Sequence, residues 1–257
     1  VQNFGGTLTY ISLFNAVKEL GFTCFIVERP LDSKHKPAPL LDTYHFPPIP
    51  DELIVANIPT KSDYSFLNNF ADCFLVGSDQ LFNHSLYNSF SRYITLDWVD
   101  DNKRKVAYAA SFGHDSFSGD ELERAEMSYF MKKFDAFSVR EMSGVFLAKN
   151  SFGIDAIPVL DPVFLSSIDF YKSIAEKSAI TFPKNFISSY ILDPSAQKAS
   201  FLESVSTLKK MPLVIFSEMY YSNKTIKDKW HMDIYTGKIE DRLSSLILSD
   251  LVITDSF

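Results

Sequence analysis

FADCFLVGSDQLFN, residues 70–83, is the stretch on which the reading of this chain turns. Phe74, Leu75 and Val76 form a short apolar run that Gly77 closes, the length and boundary of a buried strand. Behind the glycine, Ser78, Asp79, Gln80 and Asn83 are polar and bunched. In open parallel sheets, ligands bind where strands end in this way. The carboxylate and amides of Asp79, Gln80 and Asn83 suit sugar hydroxyls. The competing reading is an Asx-type turn that caps a following helix.

The pattern recurs along the chain. TCFIVE (23–28), KVAYAASFG (105–113), FDAFSVRE (134–141), FISSYIL (186–192), PLVIFSE (212–218) and LVITD (251–255) read as strands, and AIPVLDPVFL (156–165) as a strand broken by proline. Helices fall between them. The first follows a glycine turn, Gly5-Gly6, and carries Leu8, Ile11, Phe14, Val17 and Leu20 as an apolar stripe, with Gly21 as its C-cap. A second spans 118–133, with Ser118 as N-cap and Glu121 completing a capping box. MSGVFLAKN (142–150), a segment opening at Pro194 or Ser195, and 239–250 supply the rest. Strands alternating with helices predict an α/β fold with parallel sheets covered on both faces. LDPVFLSS (160–167) reads as the join between a Rossmann-like domain, 1–165, and a partial second one, 166–257. Residues 30–60 hold seven prolines and read as a surface excursion, either a binding lid or a solvent loop.

Composition narrows the function classes. The formal charge is −7, from 32 acidic and 25 basic residues, with no Lys/Arg block. That argues against nucleic-acid binding, which depends on phosphate neutralisation. Cys24 and Cys73 lie in apolar runs without metal spacing and are expected as buried, reduced thiols. The five histidines form no metal-ligand pair, so no metal is expected. No apolar run reaches the roughly 18 residues of a membrane span. Ser78 lies outside any GxSxG, and there is no phosphate-binding GxxxxGK.

The candidate site therefore comes from strand ends. Ser78, Asp79, Gln80 and Asn83 end one strand, Ser111-Phe112-Gly113-His114 another, Arg140-Glu141 a third, with Asp161 and Asp255-Ser256 beyond. Arg140 can grip a carboxylate or phosphate in bidentate fashion, or serve an internal ion pair with Glu141 or Asp161. Gly5 and Gly6, with Asn3, open a helix whose backbone N–H groups can meet an anion, or they serve only tight packing.

Taken together, NFGGTLTY (3–10), DCFLVGSDQLFN (72–83), KVAYAASFG (105–113), FDAFSVRE (134–141), VLDPVFL (159–165) and LVITDSF (251–257) resemble the polysaccharide pyruvyl transferases, over nearly the whole chain. The resemblance implies two Rossmann-like domains arranged as in GT-B glycosyltransferases, the second incomplete here. It implies transfer of pyruvate from phosphoenolpyruvate to sugar hydroxyls, usually as a ketal, with no cofactor and no metal. The acceptor would be a sugar or lipid-linked glycan of an exopolysaccharide, capsule or cell wall. That places the protein in the cytoplasm, with peripheral access to the inner membrane face through the acceptor.

Residue by residue, Arg140 matches the arginine expected to hold phosphoenolpyruvate. Asp79 is expected to orient or deprotonate an acceptor hydroxyl. Asn3, Gly5, Gly6, Ser78, Gln80, Asn83, His114, Glu141, Asp255 and Ser256 are expected to line the substrates. Ser256 stands where many relatives carry Arg, which leaves the acceptor type open. A histidine is expected directly after Phe257 and a first strand before Val1, so the chain is expected to be an inactive segment of a longer enzyme. The rivals are a nucleotide-sugar glycosyltransferase of similar fold and an inactive glycan-binding homologue.

Overall fold

A computed structural model describes residues 4–27, 64–84, 94–217, 234–235 and 238–256. Asn3, the proline-rich 30–60 stretch and the sequon at Asn223 lie outside the described residues. The chain divides into two compact units, one of residues 8–165 and one of 1–7 with 166–257.

Helix α1 spans Phe4–Glu19. Gly5 and Gly6 therefore lie inside its first turn rather than in a turn before it. The helix stops at Gly21, whose φ of +88° is a conformation glycine adopts without a Cβ penalty. The strand expected at 23–28 is absent from the described part: residues 22–27 are irregular, with Phe22, Phe25 and Val27 exposed. A β-favouring composition forms a strand only where a partner edge is found, and no described strand pairs here.

The 8–165 unit is built on a parallel sheet of β1 (Cys73–Asp79), β2 (Arg104–Ala110), β3 (Ala136–Val139) and β4 (Ile157–Pro158), in that spatial order. Helix α2 (Glu121–Met131) lies between β2 and β3 in sequence, and α3 (Met142–Leu147) follows β3. Met127 and Met131 of α2, with Leu147 and Phe152, pack on Ala107 and Phe137 of the sheet. Each such side chain contributes about 1.5–3 kcal/mol by leaving water. A second cluster joins Phe74 of β1 to Tyr64, Leu67, Leu96 and Val99. Cys73 is exposed and Cys24 half-buried, so the buried-thiol expectation fails. Cys73 opens β1, at the edge of the described sheet.

Two local readings shift. The N-cap of α2 is Asp120, not Ser118, and Glu123 rather than Glu121 closes the capping box: Glu123 N–H donates to Asp120 Oδ1 (2.9 Å) and Asp120 N–H to Glu123 Oε2 (2.9 Å). The helix starts two residues later than Ser118 allows: Asp120 and Glu123 form the box, while the Ser118 hydroxyl lies 3.4 Å from His84 Nδ1. Strand β1 also continues two residues past Gly77, to Asp79.

The second unit has a parallel sheet in the order β7-β6-β5-β8. After α4 (Ile168–Ala175) come β5 (Ile187–Ile191), α5 (Ala196–Lys209), β6 (Leu213–Ser217), β7 (Ile234–Tyr235), α6 (Ile239–Leu248) and β8 (Leu251–Thr254). Successive β5 residues face opposite sides, and each side has its helix. Ile191 packs with Ala199 and Leu202 of α5. Ser188 meets Ser245 of α6, Oγ to Oγ, at 2.7 Å. The molecule is thus α/β, with Rossmann-like parallel sheets. No described helix is long and apolar enough to cross a membrane.

Candidate active site at the strand ends of the first sheet

The geometry begins with two glycines and a bulge. A Cβ on Gly77 would lie 2.0 Å from the Tyr108 carbonyl oxygen, so β1 and β2 approach each other only because residue 77 has none. One step on, Asp79 adopts φ +86°, a left-handed conformation that Asp tolerates better than most residues. Its carbonyl then accepts two N–H groups, from Leu81 (2.7 Å) and from Ser111 (3.0 Å). Phe82 N–H returns to the Ser111 carbonyl at 3.1 Å. The GSDQ turn is in this way sewn to the end of β2.

Strand β2 bulges where Ala109 takes φ +51°. The Ser138 hydroxyl holds the bulge, accepting from Ala109 N–H and donating to the Ala107 carbonyl, both at 3.0 Å. Bulges re-aim the residues that follow them and are common beside active sites. Here the redirected residues are Ser111 to His114.

Gly113, at φ +73°, lies against Gln80 and Asn83: an added Cβ would sit 2.6 Å from Gln80 Oε1 and 2.7 Å from Asn83 Nδ2. Asn83 Nδ2 donates to Gln80 Oε1 at 2.9 Å. His114 follows and is exposed.

At the centre is Arg140, just past β3. Its Nε donates to Glu141 Oε1 at 2.9 Å and its Nη1 to Asp161 Oδ2 at 3.1 Å. Nη2 faces Asp79 Oδ1 at 3.8 Å, an ion pair too long for a hydrogen bond. Burial opposes the guanidinium's charge, but the bonds to Glu141 and Asp161 outweigh it and hold its pKa above the ordinary value. Arg140 therefore keeps its charge at any working pH. Its side chain is 23% exposed and that of Asp79 49%, so both remain within reach of a ligand.

Asp161, expected as a polar strand end and a possible ion-pair partner of Arg140, collects four donors. Oδ2 takes Ser78 Oγ (3.0 Å) besides Arg140, and Oδ1 takes Thr9 Oγ1 (3.3 Å) and Val163 N–H (3.1 Å). Tyr108 is missing from the sequence-derived set. Burial first, and then the charge of Asp161, push its phenol above the usual range, so it stays protonated. Nothing in the pattern AYAAS marks that tyrosine as special.

Ser78, Asp79, Gln80, Asn83, Arg140 and Glu141 thus share one neighbourhood. Asp255 and Ser256 end β8 in the other unit, where Asp255 is bound into its own backbone. It accepts Leu192 N–H (2.6 Å), Asp193 N–H (3.1 Å) and Lys198 Nζ (2.7 Å). No group of His, Cys, Asp and Glu able to hold a metal ion occurs among the described residues.

A sequence model described as "Polysaccharide pyruvyl transferase" matches residues 3–257. The chain belongs to the polysaccharide pyruvyl transferase family. No curated protein and no solved structure matches it. Membership makes the strand-end cluster part of a transferase, and the family description points to a glycan acceptor.

Proposed function

We propose that this polysaccharide pyruvyl transferase moves pyruvate from phosphoenolpyruvate to hydroxyls of a glycan or lipid-linked glycan precursor, closing a ketal. The observation that supports this most is the pairing of a permanently charged Arg140 with a half-exposed Asp79 across 3.8 Å. In this reading the donor's carboxylate or phosphate takes the Nη2 edge of Arg140, in place of Asp79. Glu141 and Asp161 keep their bonds to Nε and Nη1.

The chemistry then needs one acid and one base. A proton adds to the methylene carbon of phosphoenolpyruvate, leaving an oxocarbenium-like C2. A sugar hydroxyl oxygen attacks C2, and its proton passes to the Asp79 carboxylate. The C2–O bond to phosphate breaks, and a second hydroxyl of the sugar attacks C2 to close the ketal, its proton passing to the departing inorganic phosphate. Gln80 and Asn83 carry amides suited to orienting those hydroxyls. No step requires a metal or a further cofactor. A GT-B-like pairing of domains 1–165 and 166–257, with Gly5, Gly6, His114, Asp255 and Ser256 contributing to substrate binding, completes the proposal. Work in the cytoplasm, at the inner membrane face for a lipid-linked acceptor, belongs to the same reading.

The test is incubation of the purified protein with an acceptor glycan and either phosphoenolpyruvate or a UDP-sugar, following phosphate and UDP. Phosphate release with pyruvate gained by the glycan supports the reading. UDP release without phosphate release overturns it in favour of a glycosyltransferase. Arg140→Ala is expected to weaken phosphoenolpyruvate binding; unchanged affinity would remove Arg140 from the donor site.

A further inference from the structure

We propose that Asp161 is a positioning residue that acts through Arg140, fixing which edge of the guanidinium faces the substrate; this rests on the pyruvyl transfer reading above. A planar guanidinium held at two nitrogens has no rotation left. Glu141 holds Nε at 2.9 Å and Asp161 takes one N–H of Nη1 at 3.1 Å, so among the described residues both N–H groups of Nη2 and the second of Nη1 are left for exchange.

Of the two anchors, Asp161 is the better fixed. Its four donors come from separate parts of the 8–165 unit: Thr9 on α1, Ser78 at the end of β1, Arg140 past β3 and Val163 in its own turn. Two donors on each oxygen use the lone pairs of both, which sets the rotation of the carboxylate. Backbone order adds to this. Pro162 restricts the chain directly after it, and Phe164 N–H closes a turn on the Asp161 carbonyl at 3.0 Å. Among the described residues Glu141 has no comparable web: its side chain bonds Arg140, and it is 38% exposed against 21% for Asp161. Asp161 touches no reacting atom in this scheme. It sets the direction of the group that does.

An isosteric amide separates positioning from bulk. In Asp161→Asn one end of the side chain becomes an N–H donor facing donors it cannot satisfy. The expected result is a loss of about tenfold to a hundredfold in kcat/KM for phosphoenolpyruvate, the range seen when an orienting partner is removed. The loss should fall chiefly on the donor's KM. In an Arg140→Ala background the same substitution should cost little more, because the residue it acts through is gone. A full second loss there would mark Asp161 as merely structural and overturn the proposal. A readout independent of turnover is the Arg140 side-chain Nε–H resonance, assigned by its disappearance in Arg140→Lys. It should move or broaden in Asp161→Asn; an unmoved resonance also overturns the proposal. If the wild-type protein releases no phosphate from phosphoenolpyruvate, the functional reading fails while the resonance still decides the positioning. Should Asp161→Asn not fold, Ser78→Ala removes one donor from Oδ2 and is expected to shift the same resonance by less.

Discussion

At the scale of single residues, the site depends on atoms that are missing as much as on atoms that are present. Gly77 lets β1 lie against the Tyr108 carbonyl, with 2.0 Å where a Cβ would stand. Gly77→Ala is therefore expected to destabilise by about 3 kcal/mol, the upper end of overpacking costs, as read by chemical denaturation. A loss under about 0.5 kcal/mol, within the range of neutral surface changes, would contradict the close approach. Asp255 gives a pH-dependent case. Burial raises its pKa, but Lys198 and the N–H groups of Leu192 and Asp193 more than offset this and depress it below the ordinary carboxylate value. A depressed folded pKa adds stability above the unfolded value of about 3.9 and loses it as pH falls through the folded one. Asp255→Asn should therefore be less stable than wild type at pH 5–7 by thermal melts, with the gap closing as pH falls through the depressed folded value.

At the scale of elements, the strand-and-helix alternation was open to reading because it rests on local signals. The run before Gly77, the Ser195 N-cap of α5 and the Gly21 stop each act within a few residues. What the sequence hid was non-local. TCFIV has strand composition and no described partner, so it stays irregular. Asp120, like Ser118, has a glutamate three residues on, so the local signal that points to Ser118 as the α2 cap does not separate the two. Asp161 could be seen as a polar residue beside a proline, but not as the acceptor of Thr9, some 150 positions earlier. The internal ion pair of Arg140 was legible too, offered with Glu141 or Asp161 as alternatives; the guanidinium bonds both at once. The cap makes its own prediction. Asp120→Ala should cost about 1 kcal/mol in a denaturation experiment. The Glu123 oxygen that completes the box also meets His84 Nε2 at 2.7 Å, so the loss should be larger than for an isolated cap.

At the scale of the whole molecule, the net charge of −7 sets what the surface will not do. With 32 acidic against 25 basic residues and no Lys/Arg block, the protein should pass a heparin or DNA column without retention at 0.1 M salt. Retention that falls steeply with added salt would show a basic face that the composition does not suggest. The parallel sheets, by contrast, follow from composition and period together, and the described strands pair in that way. The corner made by Asp255 has one more consequence, in hydrogen exchange. Leu192 and Asp193 leave β5 in an exposed turn, where amides normally trade their protons for deuterium within seconds to minutes. Because Asp255 accepts both N–H groups, these two amides should exchange as slowly as strand interior ones, a pair of protected signals in a stretch of otherwise fast ones.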